Sequence, residues 1–258
     1  MFALLFSRRS LLSTLLVIVA AAVMARLGIW QLDRLEARRA FNARVLEQVI
    51  ADPLQLDEDA LSLDLYAMEY RQTVVTGEYM PEDEIVLRNQ VWQGQAGMTL
   101  FTPLRIAGAD SAILVERGWI PAEQADRQSR AVYHSPGTLT LTGVLRRAET
   151  DFEVYGRIHP DPTLSADQQR LDVWNNLDLE RIAAQMETPL LPVYLEQAPD
   201  PGQDAPPYAA LSEPDLSEGP HLGYAGQWFI FALVLLVGYP IFAKNSEKAH
   251  TTSDHGKN

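Results

Sequence analysis

Residues 221–242 read HLGYAGQWFIFALVLLVGYPIF, and this stretch decides whether the chain is a free domain or a membrane-tethered one. From Trp228 to Phe242 it carries no charge and no strongly polar side chain. A helix rises about 1.5 Å per residue, so about 20 residues cross the hydrocarbon of a bilayer. Tyr224–Phe242 reaches that length. So does a second stretch at the other end of the chain, Leu11–Trp30, whose Arg26 lies near the end from which a long side chain can snorkel to water. The expected fold class is therefore a membrane protein with two transmembrane helices flanking an extramembrane domain.

The first apolar run also fits a cleaved signal peptide, with Arg8 and Arg9 as the basic region and Val23-Met24-Ala25 as the cleavage site. Against this, the helical pattern continues past Ala25 through LGIWQLDRLEARRAFNARVLEQVI without proline or a turn cluster. A long helix leaving the membrane accounts for that continuation. Two spans put both termini on one side. Long loops translocate with little regard to charge, so the short tails weigh more, and Lys244, Lys248 and Lys257 follow the second span. The expected order is a cytoplasmic N-terminus (1–10), a span (11–30), a helical extension and acidic connector (31–69), a β-rich periplasmic domain (70–197), a proline-rich linker (198–220), the second span (221–242) and a cytoplasmic tail (243–258).

The middle of the chain has β texture. Arg71–Tyr79, Glu84–Asn89, Met98–Ile106, Ala112–Trp119 and Thr138–Arg146 are rich in β-branched and apolar residues, and turn clusters such as Ser135-Pro136-Gly137 separate them. Short loops between successive strands favour a mainly antiparallel sheet or a small barrel, an α+β domain once helix 179–187, capped by Asp178, is added. Leu190–Glu196 reads as the last strand.

The 258 residues carry a net charge of −13, which argues against a nucleic-acid partner, and the absence of cysteine excludes thiolate metal sites, iron–sulfur clusters and cysteine nucleophiles. No dinucleotide, phosphate-loop or serine-hydrolase motif occurs, so no enzyme activity is expected; a membrane-tethered hydrolase has no visible nucleophile and base. His134 and His159 stand at turns, His250 and His255 in a polar tail. Glu82-Asp83-Glu84 reads as a solvated face. Arg117-Gly118-Trp119 reads either as a β-bulge with a packing tryptophan or as a contact surface. Met68, Met80 and Met98 form no copper-binding cluster.

His221 is harder to assign to structure alone. Gly219 and Pro220 suit a helix start, and a helix from there places His221, Tyr224 and Trp228 at i, i+3 and i+7, with the imidazole about 10 Å above Trp228. Tyrosine and tryptophan at that depth are ordinary interfacial anchors. A neutral imidazole at a bilayer edge is also a natural axial ligand for haem iron. The first span ends Trp30-Gln31 and the second begins Gln227-Trp228, so an antiparallel pair predicts a Gln31–Gln227 hydrogen bond.

These residues resemble the Surfeit-locus-one family, assembly factors for haem-copper cytochrome c oxidase. The resemblance is carried by Gly28-Ile29-Trp30-Gln31-Leu32-Asp33-Arg34, Gly77-Glu78-Tyr79, Arg88-Asn89-Gln90, Gly97, Thr102-Pro103-Leu104, Val115-Glu116-Arg117-Gly118-Trp119-Ile120-Pro121, Trp174-Asn175 and His221-Leu222-Gly223-Tyr224-Ala225-Gly226-Gln227-Trp228-Phe229. It implies an inner-membrane protein that helps deliver haem a to the oxidase catalytic subunit, with the haem a synthesis machinery as a further partner. By that analogy His221 is the haem ligand, with Tyr224 and Trp228 against the macrocycle and Arg34 or Arg117 paired with the propionates. The other expectation is a cofactor-free scaffold that holds an oxidase assembly intermediate. Segment 54–64 and the proline-rich linker look like local elaborations.

Overall fold

In the computed structural model, residues 10–148, 153–154, 157–158, 161 and 170–254 are described, with backbone alone for 153–154, 157–158 and 246–254. Helix α1 (Leu11–Ile50) leads into β1 (Leu54–Leu56), β2 (Gln72–Tyr79), β3 (Ile85–Trp92), β4 (Gln95–Ile106) and β5 (Ala112–Pro121). Then follow α2 (Arg127–Arg130), β6 (Thr138–Arg146), β7 (Glu153–Val154), β8 (Arg157–Ile158), β9 (Val173–Trp174), α3 (Leu179–Ala183), β10 (Leu190–Gln197) and α4 (His221–Asp254). The chain divides into a helical unit, residues 1–44 with 215–258, and a β unit, residues 45–214. His159 and His255 lie outside the described residues.

Both long helices are apolar enough to cross a membrane, over Leu11–Ile50 and His221–Asn245. Their outward-facing Leu, Ile, Val and Phe side chains are exposed, which suits lipid rather than water. The less exposed positions of α1 (Thr14, Val17, Ala21, Met24, Gly28, Gln31, Leu35, Arg38, Asn42) advance by alternating threes and fours. So do His221, Ala225, Trp228, Ala232, Leu235 and Tyr239 on α4. That 3.5-residue repeat is the seam of a left-handed helix pair. Small residues let the backbones approach: a Cβ on Gly28 would lie 2.7 Å from the Phe229 ring. The pair is antiparallel, with the Thr14 and Tyr239 hydroxyls 3.0 Å apart at one end.

The β unit is a mixed sheet in the order β1-β2-β6-β10-β5-β4-β3-β9, and an added β2–β4 pairing closes β2, β6, β10, β5 and β4 into a small barrel. Most pairings are antiparallel, as alternation and short loops predict. The exceptions are parallel: β10 on β5, β1 on β2 and β9 on β3. The barrel interior holds Val75, Leu104, Ile113, Val115, Leu141, Leu145, Val193 and Leu195. Leu114 points the other way, into a second cluster with Ile85, Phe101, Trp174 and Ile182. Strand β5 is thus covered on both faces, hence its unbroken Ala-Ile-Leu-Val run. The Asp178 side chain caps α3 by accepting from Arg181 N at 3.1 Å.

Three regions differ from their sequence reading. The acidic connector contains β1, whose Leu56 joins the barrel core together with Ala60 and Leu65. Its acids lie on the outer side of an otherwise apolar segment. The proline-rich linker is tied down: Trp119 N donates to Tyr208 O and Tyr208 N to Trp119 O, and the Tyr208 ring stacks between Trp119 and Trp92. Gly118, at φ +120°, admits that approach, since a Cβ there would sit 2.4 Å from the Tyr208 carbonyl. Arg117-Gly118-Trp119 is therefore a bulge with a packing tryptophan, opposite a register shift at Leu100/Phe101. Finally, Glu82-Asp83-Glu84 is not a solvated face. Asp83 and Glu84 are buried, because the turn after β2 aims them at arginines from distant elements.

Candidate functional site

In the helical unit, segment 215–218 runs beside α1 and is fastened to it. Arg38 donates to the carbonyls of Asp215 and Ser217, Asn42 to that of Leu216, and Arg39 pairs in two-pronged fashion with Glu218 at 2.7 and 2.8 Å. Gly219, at φ +68°, then turns the chain, and Pro220 precedes the first helical residue, His221. Tyr224 N donates to Pro220 O, closing the first turn.

This turn shapes a cavity of about 460 Å³ lined by Arg34, Ala37, Arg38, Phe41, Asp215, Ser217, Glu218, Gly219 and His221. Its two carboxylates are already engaged. Backbone and side-chain hydrogen bonds from Ser217 hold Asp215 below the usual carboxylate range, and Arg39 does the same for Glu218. Arg34 is exposed and has no ion-pair or hydrogen-bond partner among the described residues. The cavity thus contains a cation without a counter-charge beside an imidazole.

His221 Nδ1 lies 2.8 Å from Gln31 Oε1. Gln31 does not bond Gln227, as the sequence suggested. The pairing register brings His221 alongside Gln31, and six further residues of helix rotate Gln227 away from the seam, where it is exposed. Nε2 of the same ring has no partner among the described residues.

The other residues singled out from sequence are placed as follows. Trp228 lies half-buried on the seam, edge-on to Phe231 at 6.1 Å, and Tyr224 is 49% exposed on its flank. Neither lines the His221 cavity: four residues, not three, separate His221 from the next seam position, Ala225. Arg34 does line it. Arg117 belongs to the β unit and is interior. It donates to Tyr133 O, lies 3.9 Å from Glu84 and stacks over the Tyr79 ring at 4.5 Å. Glu84 also pairs with the buried Arg130 at 3.1 Å and accepts from Thr102 at 2.8 Å. Burial pushes the Tyr79 hydroxyl up to about 12, against the opposing pull of Arg117. This Glu84 cluster was invisible in sequence because its two arginines, Arg117 and Arg130, come from different elements, β5 and α2. The segment 215–219 was also missed as a cavity wall; Gly219-Pro220 was its only local signal.

A second polar cavity, about 260 Å³, lies in the β unit and is bordered by Glu116, Arg146, Arg147 and Asn175, among others. Burial, reinforced by the neighbouring Glu196 and opposed by Arg146, pushes Glu116 up to about 7. Among the described residues there is no group of three or more His, Asp or Glu able to hold a metal ion. His221 lines the first cavity as a lone imidazole, a donor that could take one bond to a metal or a porphyrin iron.

Comparison with known proteins agrees with the motifs. The model of the SURF1 family matches residues 18–233. A SURF1-like protein of Rickettsia felis is 26% identical over 241 residues, 90% of this chain and 97% of that one. A SURF1-like protein of Caenorhabditis elegans is 26% identical over 230 residues, 82% of this chain and 68% of its own. The cytochrome oxidase assembly protein SHY1 of Saccharomyces cerevisiae is 29% identical over 108 residues, 42% of this chain and 28% of its own. The family match runs from within α1, through the whole barrel, to the first turns of α4, so the chain belongs to the SURF1 family.

Proposed function

We propose that the protein is a non-enzymatic assembly factor for cytochrome oxidase that holds haem a for transfer to the oxidase catalytic subunit. Membership of a family that includes a cytochrome oxidase assembly protein supports the assembly role. The observation that carries the haem reading is the pairing, in one cavity, of an imidazole nitrogen and a guanidinium that have no partner among the described residues.

In this reading His221 Nε2 supplies the axial bond and Arg34 pairs with a propionate, a task that suits a planar, permanently charged guanidinium. The partial positive charge at the N-terminus of α4 acts in the same direction. Ala37 and Phe41 provide apolar wall. Haem, when bound, is the cargo; the residues bind and orient it and undergo no chemistry of their own. One protein ligand, rather than two, keeps the cargo releasable. Arg117 takes no part, since Glu84 and Tyr133 already satisfy it. In this reading the termini are cytoplasmic and the β unit periplasmic, in the inner membrane, with the oxidase subunit and the haem a synthesis machinery as partners.

The test is a strain lacking the protein, complemented with the wild type or with His221→Ala. The expected result is low oxidase haem a content without the protein, restored by the wild type and poorly by the variant. Full restoration by His221→Ala would favour the scaffold role, in which the protein holds the oxidase subunit and carries no haem.

A further inference from the structure

The hydrogen bond between the two helices defines the protonation of the candidate ligand. An amide oxygen only accepts, so the 2.8 Å contact between Gln31 Oε1 and His221 Nδ1 requires the proton on Nδ1. The lone pair of a neutral imidazole then lies on Nε2. That edge of the ring faces Gly219: a Cβ there would stand 3.4 Å from Cδ2 and 3.5 Å from Nε2, inside the cavity wall. Glycine therefore leaves open the side from which a metal approaches.

We infer that Gln31 is a positioning residue: it fixes His221 as the Nδ1–H tautomer, so that Nε2 is presented to the cavity as a ready donor. This rests on the haem reading proposed above and adds to it. Metal-bound histidines generally donate their second N–H to a carboxylate or carbonyl, which sets ring orientation and raises donor strength. Here the acceptor sits 190 residues earlier, on the other helix. The donor is consequently presented only when the two helices pair in register. Gln31 sits on the seam between Gly28 and Leu35, and leucine is close to glutamine in length and apolar like its seam neighbours, so its replacement tests the hydrogen bond, with the glutamate variant as control.

The experiment uses the full chain in detergent at about pH 8.5, where an ordinary imidazole is neutral. Histidines are labelled with ¹⁵N, and the His221 signals are identified by their loss in His221→Ala. The expected spectrum shows His221 protonated on Nδ1 in the wild type and in Gln31→Glu, and shifted towards Nε2–H in Gln31→Leu. Ferric haem affinity should fall by about 10- to 100-fold in Gln31→Leu and be retained in Gln31→Glu. An unchanged tautomer and unchanged affinity in Gln31→Leu would overturn the inference. So would equal losses in the Leu and Glu variants, which would mark Gln31 as a packing residue. If Gln31→Leu moves the proton while His221→Ala still binds ferric haem like the wild type, the tautomer assignment stands and the haem reading alone fails.

Discussion

The helical unit and the β unit treat their charges in opposite ways. In the β unit, Glu84 is enclosed by Arg117, Arg130 and Thr102, and each partner is buried with it. In the helical unit, Arg34 and the Nε2 edge of His221 border an open cavity and have no partner among the described residues, although Arg38 and Arg39 a turn away are engaged. A charge enclosed by its opposites ties the fold to those partners, because leaving it buried without them would cost several kcal/mol. A donor and a cation left facing a cavity contribute nothing to folding and are available to a ligand. The difference separates Arg117 from Arg34, two arginines that look equally suited to a propionate in sequence.

The contrast makes graded predictions. Removing the buried carboxylate should have the largest effect. Glu84→Ala strands two buried guanidinium groups and should destabilise the β unit by about 3–5 kcal/mol, read by chemical unfolding followed through tryptophan fluorescence. A loss below about 1 kcal/mol would mean that the cluster is hydrated and that the contrast is false. Next is the linker clasp. Gly118→Ala places a methyl group against the Tyr208 carbonyl at a positive φ, and should cost about 2–3 kcal/mol and expose segment 200–214 to limited proteolysis.

Glu116 lies between these extremes, a carboxyl lining a cavity yet largely desolvated. Its folded value of about 7 exceeds the ordinary 4.5 of a glutamate carboxyl, so the folded state keeps a proton that the unfolded chain releases. Stability should therefore decline as pH rises from 4.5 to 7, with the loss complete above that. Glu116→Gln removes this dependence, leaving stability unchanged near pH 4 and raising it by about 1–2 kcal/mol near pH 8. Parallel pH profiles for variant and wild type would contradict the assignment. The smallest effect on stability is expected at Arg34. Arg34→Ala should leave unfolding unchanged, since an exposed arginine without a partner contributes little, while weakening ferric haem binding several-fold. A stability loss matching that of Glu84→Ala would remove the distinction between the units.

How far these features can be read from sequence depends on how local their causes are. The strands from Gln72 to Arg146 follow from alternation and turn residues within each segment, and the two long helices from unbroken apolar runs. The parallel pairing of β10 with β5 is not local: it joins Leu195 to Val115, and no pattern within either strand specifies it. Glu82-Asp83-Glu84 looks solvated because the neutralising Arg130 and Arg170 are remote in sequence. The seam of the helix pair emerges as a 3.5-residue repeat only from side-chain burial, because both helices are apolar all round, and its register is no more legible. Two glutamines at matching depth suggested one bond, and the register set by Thr14 with Tyr239 gave Gln31 to His221 instead. His221 stood out because a titratable ring beside a span is unusual, whereas Arg34, one of several arginines after the first span, was named only through the family resemblance. The cavity that joins them needed the fastened segment 215–219, which sequence presents only as linker.

The measurement that bears most directly on the account is the absorption spectrum of the full-length protein in detergent during titration with ferric haem, compared with His221→Ala. The wild type should take up one haem with the Soret shift of imidazole ligation, and the variant should lose that spectrum while unfolding at the same denaturant concentration. An identical titration for the two proteins would contradict the claim that His221 is the ligand.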